Sequence, residues 1–225
     1  MSEAYPPEPW LLRGDLHTSV FLVPLADVRV DLPPGWRPMR LGRFGVVGTA
    51  WVSYRPGGVL AYEELMSTLL VRRGWRVLPT ITQIWVDSPS SRDGGRELWG
   101  IPKQLAKFGA FLATTDDGPI AAGSVQPRIT LPWRLPGGFA VVQRLTGSAK
   151  VTPVRFRALV GLSRSTFAAD PSGPLAFLAG RRAFLSFSLI DFRMIFGRAE
   201  GSAEGGDAGG RKGWRSAADG GLMRR

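Results

Sequence analysis

Cysteine is absent from this chain of 225 residues. Disulfides, thiolate metal sites and a cysteine nucleophile are therefore excluded. Histidine occurs once, as His17. That rules out a multi-histidine metal centre within one chain, and no metal site is expected. A Ser-His-Asp triad would have to use His17, yet the chain has no G-x-S-x-G elbow. Neither G-x-G-x-x-G nor the P-loop pattern occurs, so nucleotide binding has no motif behind it. No run of eighteen apolar residues exists, so no membrane span is expected. The opening MSEAYPPEPW lacks a basic stretch followed by an apolar one. No signal peptide is visible, and the cytoplasm is the expected location.

Lysine is scarce too. The chain has four (Lys103, Lys107, Lys150 and Lys212) against twenty-five arginines. The formal charge is +11; residues 199–225 carry five basic and four acidic groups, which leaves +10 on the rest. The arginines are scattered instead of forming a stripe, and no nucleic-acid motif is present, so nucleic acid is not an expected partner. Base composition is the first reading of the arginine excess. A field that attracts small anions such as carboxylates is the second.

What is present centres on Gly95-Arg96-Glu97-Leu98-Trp99-Gly100-Ile101-Pro102-Lys103-Gln104-Leu105-Ala106. Trp99, Ile101, Pro102 and Leu105 flank Lys103, with Phe108 close behind. The ordinary reading of such a lysine is snorkelling: methylenes on the surface, ammonium in water. The sharper reading follows from the scarcity. Where this chain needs only charge it writes Arg, so a Lys among hydrophobes suggests a group that has to lose its proton, which Arg cannot do.

Punctuation by Gly and Pro and many short alternating segments predict a β-rich chain. Strands are expected at 17–25, 44–54, 77–86, 110–114, 120–126, 129–134, 139–145 and 183–196. Tyr62 to Arg72 reads equally as helix or strand. Residues 87–95 read as a loop. Leu98 to Phe108 is expected to begin extended around Pro102, because the residue before proline avoids the helical region. Residues 156–162 are ambiguous, and 173–178 suggest a short helix. Three parts are predicted: an extended arm over 1–13, one domain over 14–198, and a disordered tail over 199–225 too poor in apolar residues to offset its ordering entropy.

Two of these features together resemble the acetoacetate decarboxylase-like family. Val86-Asp87-Ser88, a Ser-rich loop and then Gly-Arg-Glu-Leu-Trp-Gly-Ile-Pro-Lys resemble its active-site segment. Tyr62-Glu63-Glu64 resembles its upstream Tyr-x-Glu. Glu64 and Lys103 stand 39 positions apart, in the family's order and spacing. The resemblance continues through Leu131-Pro132-Trp133-Arg134-Leu135-Pro136 to the Phe-rich last strand, over roughly residues 10 to 198. It implies an α+β, β-rich fold: an antiparallel closed β-barrel or cone with a few short helices.

The resemblance also implies that Lys103 forms a Schiff base with a ketone and that Glu64 lies in the same pocket. Substrate contacts would come from Tyr62, Glu97 and Trp99, and from Arg13 or His17 in place of the family's N-terminal arginine. The family's second lysine, directly after the nucleophile, is Gln104 here. A neighbouring ammonium is one means of lowering a nucleophilic lysine's pKa, for which the decarboxylase of this family is a standard example. Without it, burial would have to do that work. An ionised Glu64 would oppose it; a protonated Glu64 would instead be a proton donor. The implied function is decarboxylation of a small β-keto acid. An aldolase-dehydratase using the same lysine and a non-catalytic small-molecule binding barrel are the alternatives. No cofactor is implied, because the iminium is itself the electron sink. The implied partner is a small keto acid, with self-association into a homo-oligomer also in keeping with the family.

Overall fold

The structure is a computed structural model, and it describes residues 5–198. The expected disordered tail lies outside those residues. In chain order the elements are β1 (Trp10–Pro24), β2 (Arg37–Pro38), β3 (Arg40–Leu41), β4 (Phe44–Tyr54), β5 (Tyr62–Arg73), β6 (Arg76–Val86) and α1 (Pro89–Trp99). Then come β7 (Lys103–Leu105), β8 (Lys107–Gly109), β9 (Leu112–Thr115), β10 (Gly118–Leu145), β11 (Ser148–Ala169), a 3-10 turn at Ala176–Leu178, and β12 (Leu185–Phe196).

All the strands join one sheet in the order β7-β6-β5-β4-β1-β12-β11-β10-β9-β8, with β2 on β5 and β3 on β4. Every pairing is antiparallel except β6 with β7, which α1 connects in parallel. The backbone ladder is open, running from β7 to β8, and so departs from the expected closed barrel. Where a barrel would close by backbone pairing, a side chain stands in. The amide of Gln143 on β10 accepts from Ile81 N (2.9 Å) and Thr80 Oγ1 (2.7 Å), and donates to Ile81 O (3.0 Å) on β6. One buried amide thus satisfies both backbone groups of a residue that has no strand neighbour on that side.

Alternation along each strand sends apolar residues to both faces of the sheet. One face packs Trp10, Leu12 and Leu16 of β1 with Val52, Ile84 and Phe192, under Trp99 and Ile101. The other packs Phe21 and Val23 with Trp51, Leu65 and Trp85, under Trp36, Leu175 and Leu178. Tyr62 to Arg72, ambiguous by periodicity, is strand because its neighbours β4 and β6 pair with it along its length. The three expected strands over 120–145 are one strand; one register shift, at Pro127/Ile129, falls at an expected break, and the other, at Thr130/Arg134, falls inside the strand expected over 129–134. The arm expected over 1–13 ends sooner, since β1 already begins at Trp10.

The expected loop over 87–95 is helix. Ser88 caps it, its hydroxyl accepting from Ser91 N at 3.2 Å, and Pro89 takes the first helical position, where a missing N–H costs nothing. Gly100, at φ 68°, ends it in the left-handed conformation. The buried stripe of α1 is Ser91, Gly94, Gly95 and Trp99, so hydrophobic periodicity could not reveal it. Consequently Leu98 and Trp99 close a helix instead of opening an extended segment.

Candidate active site

Helix α1 and strand β7 bring Lys103 back beside β6, level with Ile84. Its side chain runs over α1, and only glycine leaves it room. A Cβ on Gly95 would stand 2.7 Å from Lys103 Cδ and 2.9 Å from Cε. Gly94 makes the same allowance for Trp10, whose ring would lie 2.6 Å from an added Cβ. The two glycines, unfavourable inside a helix by about 1 kcal/mol each, are explained by what crosses them.

Lys103 is 4% exposed. It donates to Glu64 Oε2 at 2.9 Å, Ser91 Oγ at 2.8 Å and Tyr62 OH at 3.3 Å. An ammonium has three protons, and each has an acceptor. Tyr62 and Glu64 stand two apart on β5 and so point to one face. Tyr54, opposite Tyr62 in register, stacks on it with ring centroids 4.3 Å apart and donates to Glu64 Oε1 at 3.1 Å. Glu64 is itself 2% exposed.

Burial pulls the Lys103 ammonium down, but the Glu64 carboxylate and the Tyr62 oxygen outweigh it, and the net direction is upward. Burial alone therefore does not free the amine, contrary to the expectation from sequence. The two groups meet as an ion pair, Nζ to Oε2 at 2.9 Å. Burial pushes Tyr62 up to about 12 against the opposing pull of Lys103, and pushes Tyr54 well above the usual phenol range together with the charge of Glu64. Both tyrosines are neutral at pH 7; Tyr54 donates to Glu64, and Tyr62 accepts from Lys103.

Lys103, Glu64, Tyr54 and Tyr62 line a cavity of about 400 Å³ whose other walls are almost wholly apolar. Trp99 lines it as well, edge-on to Trp10 (4.8 Å) and to Phe196 (4.6 Å). Its buried Nε1–H has no partner among the described residues.

Of the residues predicted for the site, Lys103, Glu64, Tyr62 and Trp99 come together. Four others lie elsewhere. Arg13 is partly exposed and faces Asp191 at 3.8 Å. His17 shares a hydrogen bond between Nδ1 and Ser188 Oγ (2.8 Å) and lies against Phe111; burial pulls its pKa down against the opposing carboxylate of Asp15. On β1 the even positions Trp10, Leu12, Leu16 and Thr18 line the cavity, so odd positions point away. Gln104 alternates away from Lys103 and is exposed. Glu97 is exposed and accepts from Tyr5 OH at 2.6 Å. Ser91, Tyr54 and Trp10 escaped the sequence reading. The Ser-Pro start of a capped helix was a signal for Ser91; nothing local marked Tyr54.

Residues 1–125 match the family model described as acetoacetate decarboxylase (ADC). No curated protein matches the chain. Among solved structures the fold is similar to acetoacetate decarboxylase from Legionella pneumophila, with TM-score 0.62, 15% identity, and 87% of each chain covered. It is similar to the enduracididine biosynthesis enzyme MppR complexed with pyruvate, with TM-score 0.61, 15% identity, and 87% of this chain and 90% of that one covered. It is also similar to an acetoacetate decarboxylase-like enzyme from Sphingomonas wittichii, with TM-score 0.57, 12% identity, and 84% and 91% covered. At these identities the likeness is one of fold.

Proposed function

The chain belongs to the acetoacetate decarboxylase family, and on that premise we propose that Lys103 condenses with the ketone of a keto acid and that carbon dioxide is then lost. One observation carries this reading: a buried lysine nitrogen lies 2.9 Å from a buried carboxylate on the wall of an apolar cavity.

The proton has to leave the nitrogen first. At pH 7 a lysine of ordinary pKa, near 10.4, needs about 4.6 kcal/mol to lose it to water, and Lys103 needs more because its pKa is raised. Transfer to Glu64 Oε2 is the shorter route. It turns a buried ion pair into two neutral groups, and a low-dielectric pocket penalises neutral groups far less than charges. The neutral amine attacks the ketone carbon, and Glu64 returns its proton to the carbinolamine oxygen, which leaves as water. The bond to the carboxylate carbon then breaks, its electron pair flows to the iminium nitrogen, and carbon dioxide departs. The enamine is protonated at carbon and water hydrolyses the iminium, restoring the amine. The Nε1–H of Trp99 offers a substrate oxygen a neutral donor.

The same enamine also serves aldol condensation, which is the second reading. It is favoured by MppR, described in complex with the condensation product of pyruvate and imidazole 4-carboxaldehyde.

Reductive trapping tests both. Borohydride added in the presence of acetoacetate or pyruvate is expected to leave a covalent adduct on the Lys103 peptide, read by mass. Carbon dioxide release then separates decarboxylation from aldol chemistry. Lys103→Arg, which keeps the charge and loses the titration, is expected to give no adduct; full turnover by that variant would end the proposal.

A further inference from the structure

Four features of the cavity bear on what kind of carbonyl compound it takes. First, it is deep. Tyr54 and Gly48 both line it and stand six residues apart on β4, or about 20 Å at roughly 3.4 Å per residue. Glu64 and Thr68 span four residues of β5, or about 14 Å on the same rise. The reacting group thus sits in one region, and the cavity continues along the strands well beyond it.

Second, the passage is kept open by small side chains. Gly48 and Ala50 of β4 face it where larger residues would fill it, and Ala50 lies between Thr18 and Met66 in register. Third, charge is confined to one place. Lys103 and Glu64 are the charged residues of the lining, and they neutralise each other. Among the described residues no arginine, Arg13 included, lines it, so the remote part is not built for an anion.

Fourth, the volume exceeds what a four-carbon keto acid fills. At roughly 30 Å³ per water-sized group, 400 Å³ holds about thirteen non-hydrogen atoms. Setting aside the three oxygens of a keto acid leaves about ten carbons, roughly two and a half times what acetoacetate offers. Water is a poor occupant of the remainder, because a water needs two to four polar partners and apolar cavities stay dry.

We propose that the compound condensing with Lys103 has about ten carbons in all and that its hydrocarbon chain lies along β4 and β5 toward Gly48 and Thr68. This rests on the Schiff-base reading above and names its substrate class: an aliphatic 3-oxo acid or the corresponding methyl ketone. The chain does not react. Its burial supplies binding free energy at a site remote from the chemistry, which can be used to hold the carbonyl against Lys103.

The experiment measures 2-alkanones and 3-oxo acids of increasing length in two ways: borohydride trapping on Lys103, and quenching of tryptophan fluorescence, to which Trp10 and Trp99 of the lining contribute. The half-saturating concentration is expected to fall about fourfold per added methylene, up to about ten carbons, and then to stop falling. Thr68→Phe, with Thr18→Phe as the alternative should the first not fold, is expected to abolish the advantage of ten carbons over four. A flat or falling preference with length, alongside a Lys103 adduct from acetoacetate, overturns the chain and leaves the Schiff base standing. The same fourfold steps in quenching without an adduct at any length would uphold the chain and overturn the Schiff base.

Discussion

Replacing Gly95 with alanine should separate stability from chemistry. The added methyl would stand 2.7, 2.9 and 3.2 Å from Cδ, Cε and Cγ of Lys103. Carbon atoms rest at about 3.5–4.0 Å, so the lysine stem must move by roughly 1 Å. Crowding of this kind costs about 1–3 kcal/mol. Against it, alanine is favoured over glycine inside a helix by about 0.8–1.0 kcal/mol. The net loss of stability is therefore about 0–2 kcal/mol, within reach of ordinary denaturant titration. The nitrogen is affected more. It is held by three acceptors in a fixed cage, and a displacement of about 1 Å at a reacting group can cost on the order of 10²-fold in rate. The assay pairs urea unfolding followed by circular dichroism with the initial rate of borohydride trapping. The expected result is a folded protein whose trapping rate is down about 100-fold. A folded Gly95→Ala variant trapping at the wild-type rate would refute the reasoning, since it would mean that the stem can swing without moving its nitrogen.

Glu64→Gln should invert the pH dependence of stability. In the wild type the Lys103 pKa is raised, so the folded state holds its proton longer, and that contribution is complete below about 10.5 and lost as pH rises through the raised value. In the variant the carboxylate is gone and burial, which pulls downward, dominates. The unfolded chain then binds more protons between the lowered value and about 10.4, so stability rises with pH across that window. At pH 7 the unpaired ammonium should cost about 3–5 kcal/mol; urea unfolding at a series of pH values reads both, and parallel profiles would contradict the assignment. Gln143→Leu should loosen the roll of the sheet. It strands Ile81 N, Ile81 O and Thr80 Oγ1, at about 1–3 kcal/mol for each buried group left unpaired. The check is a lowered denaturant midpoint together with faster hydrogen exchange at the Ile81 amide; unchanged exchange there would show that the Gln143 amide does not hold β6 against β10.

Some of this was open to reading from the chain. Phe44–Tyr54 is a strand from end to end because it is written in β-formers between turn residues. The pairing of Glu64 with Lys103 rested on two motifs in a fixed order, and the side chains do meet. The N-terminal candidates were misplaced because they stood in for the family's arginine by position along the chain, which does not say which face of a strand they take. Begun at Trp10, the alternation of β1 sets Trp10, Leu12 and Leu16 against Arg13 and His17, and the two cations fall on the wrong side. Helix α1 escaped because its buried stripe is Ser and Gly, chosen for what passes over it and not for hydrophobicity. The Gln143 clasp is a tertiary contact between β6 and β10, over 60 residues apart. No local pattern encodes such a contact.

The apolar walls have a different task from the one expected of them. They do not keep the amine uncharged at rest, since Glu64 reverses the effect of burial. They make the ion pair expensive to keep dry, because each buried charge forfeits several kcal/mol of hydration. Three hydrogen bonds from Lys103 and one from Tyr54 to Glu64 offset part of that loss. A carbonyl compound pressing an apolar chain into the cavity adds no polar partner for either charge. In the proposed reaction the change that relieves this cost is proton transfer between Lys103 Nζ and Glu64 Oε2, 2.9 Å apart, which would leave a nucleophile at the carbonyl and an acid beside it. Only lysine can make that transfer. Arginine, which outnumbers lysine twenty-five to four in this chain, holds its proton too tightly for the proposed step.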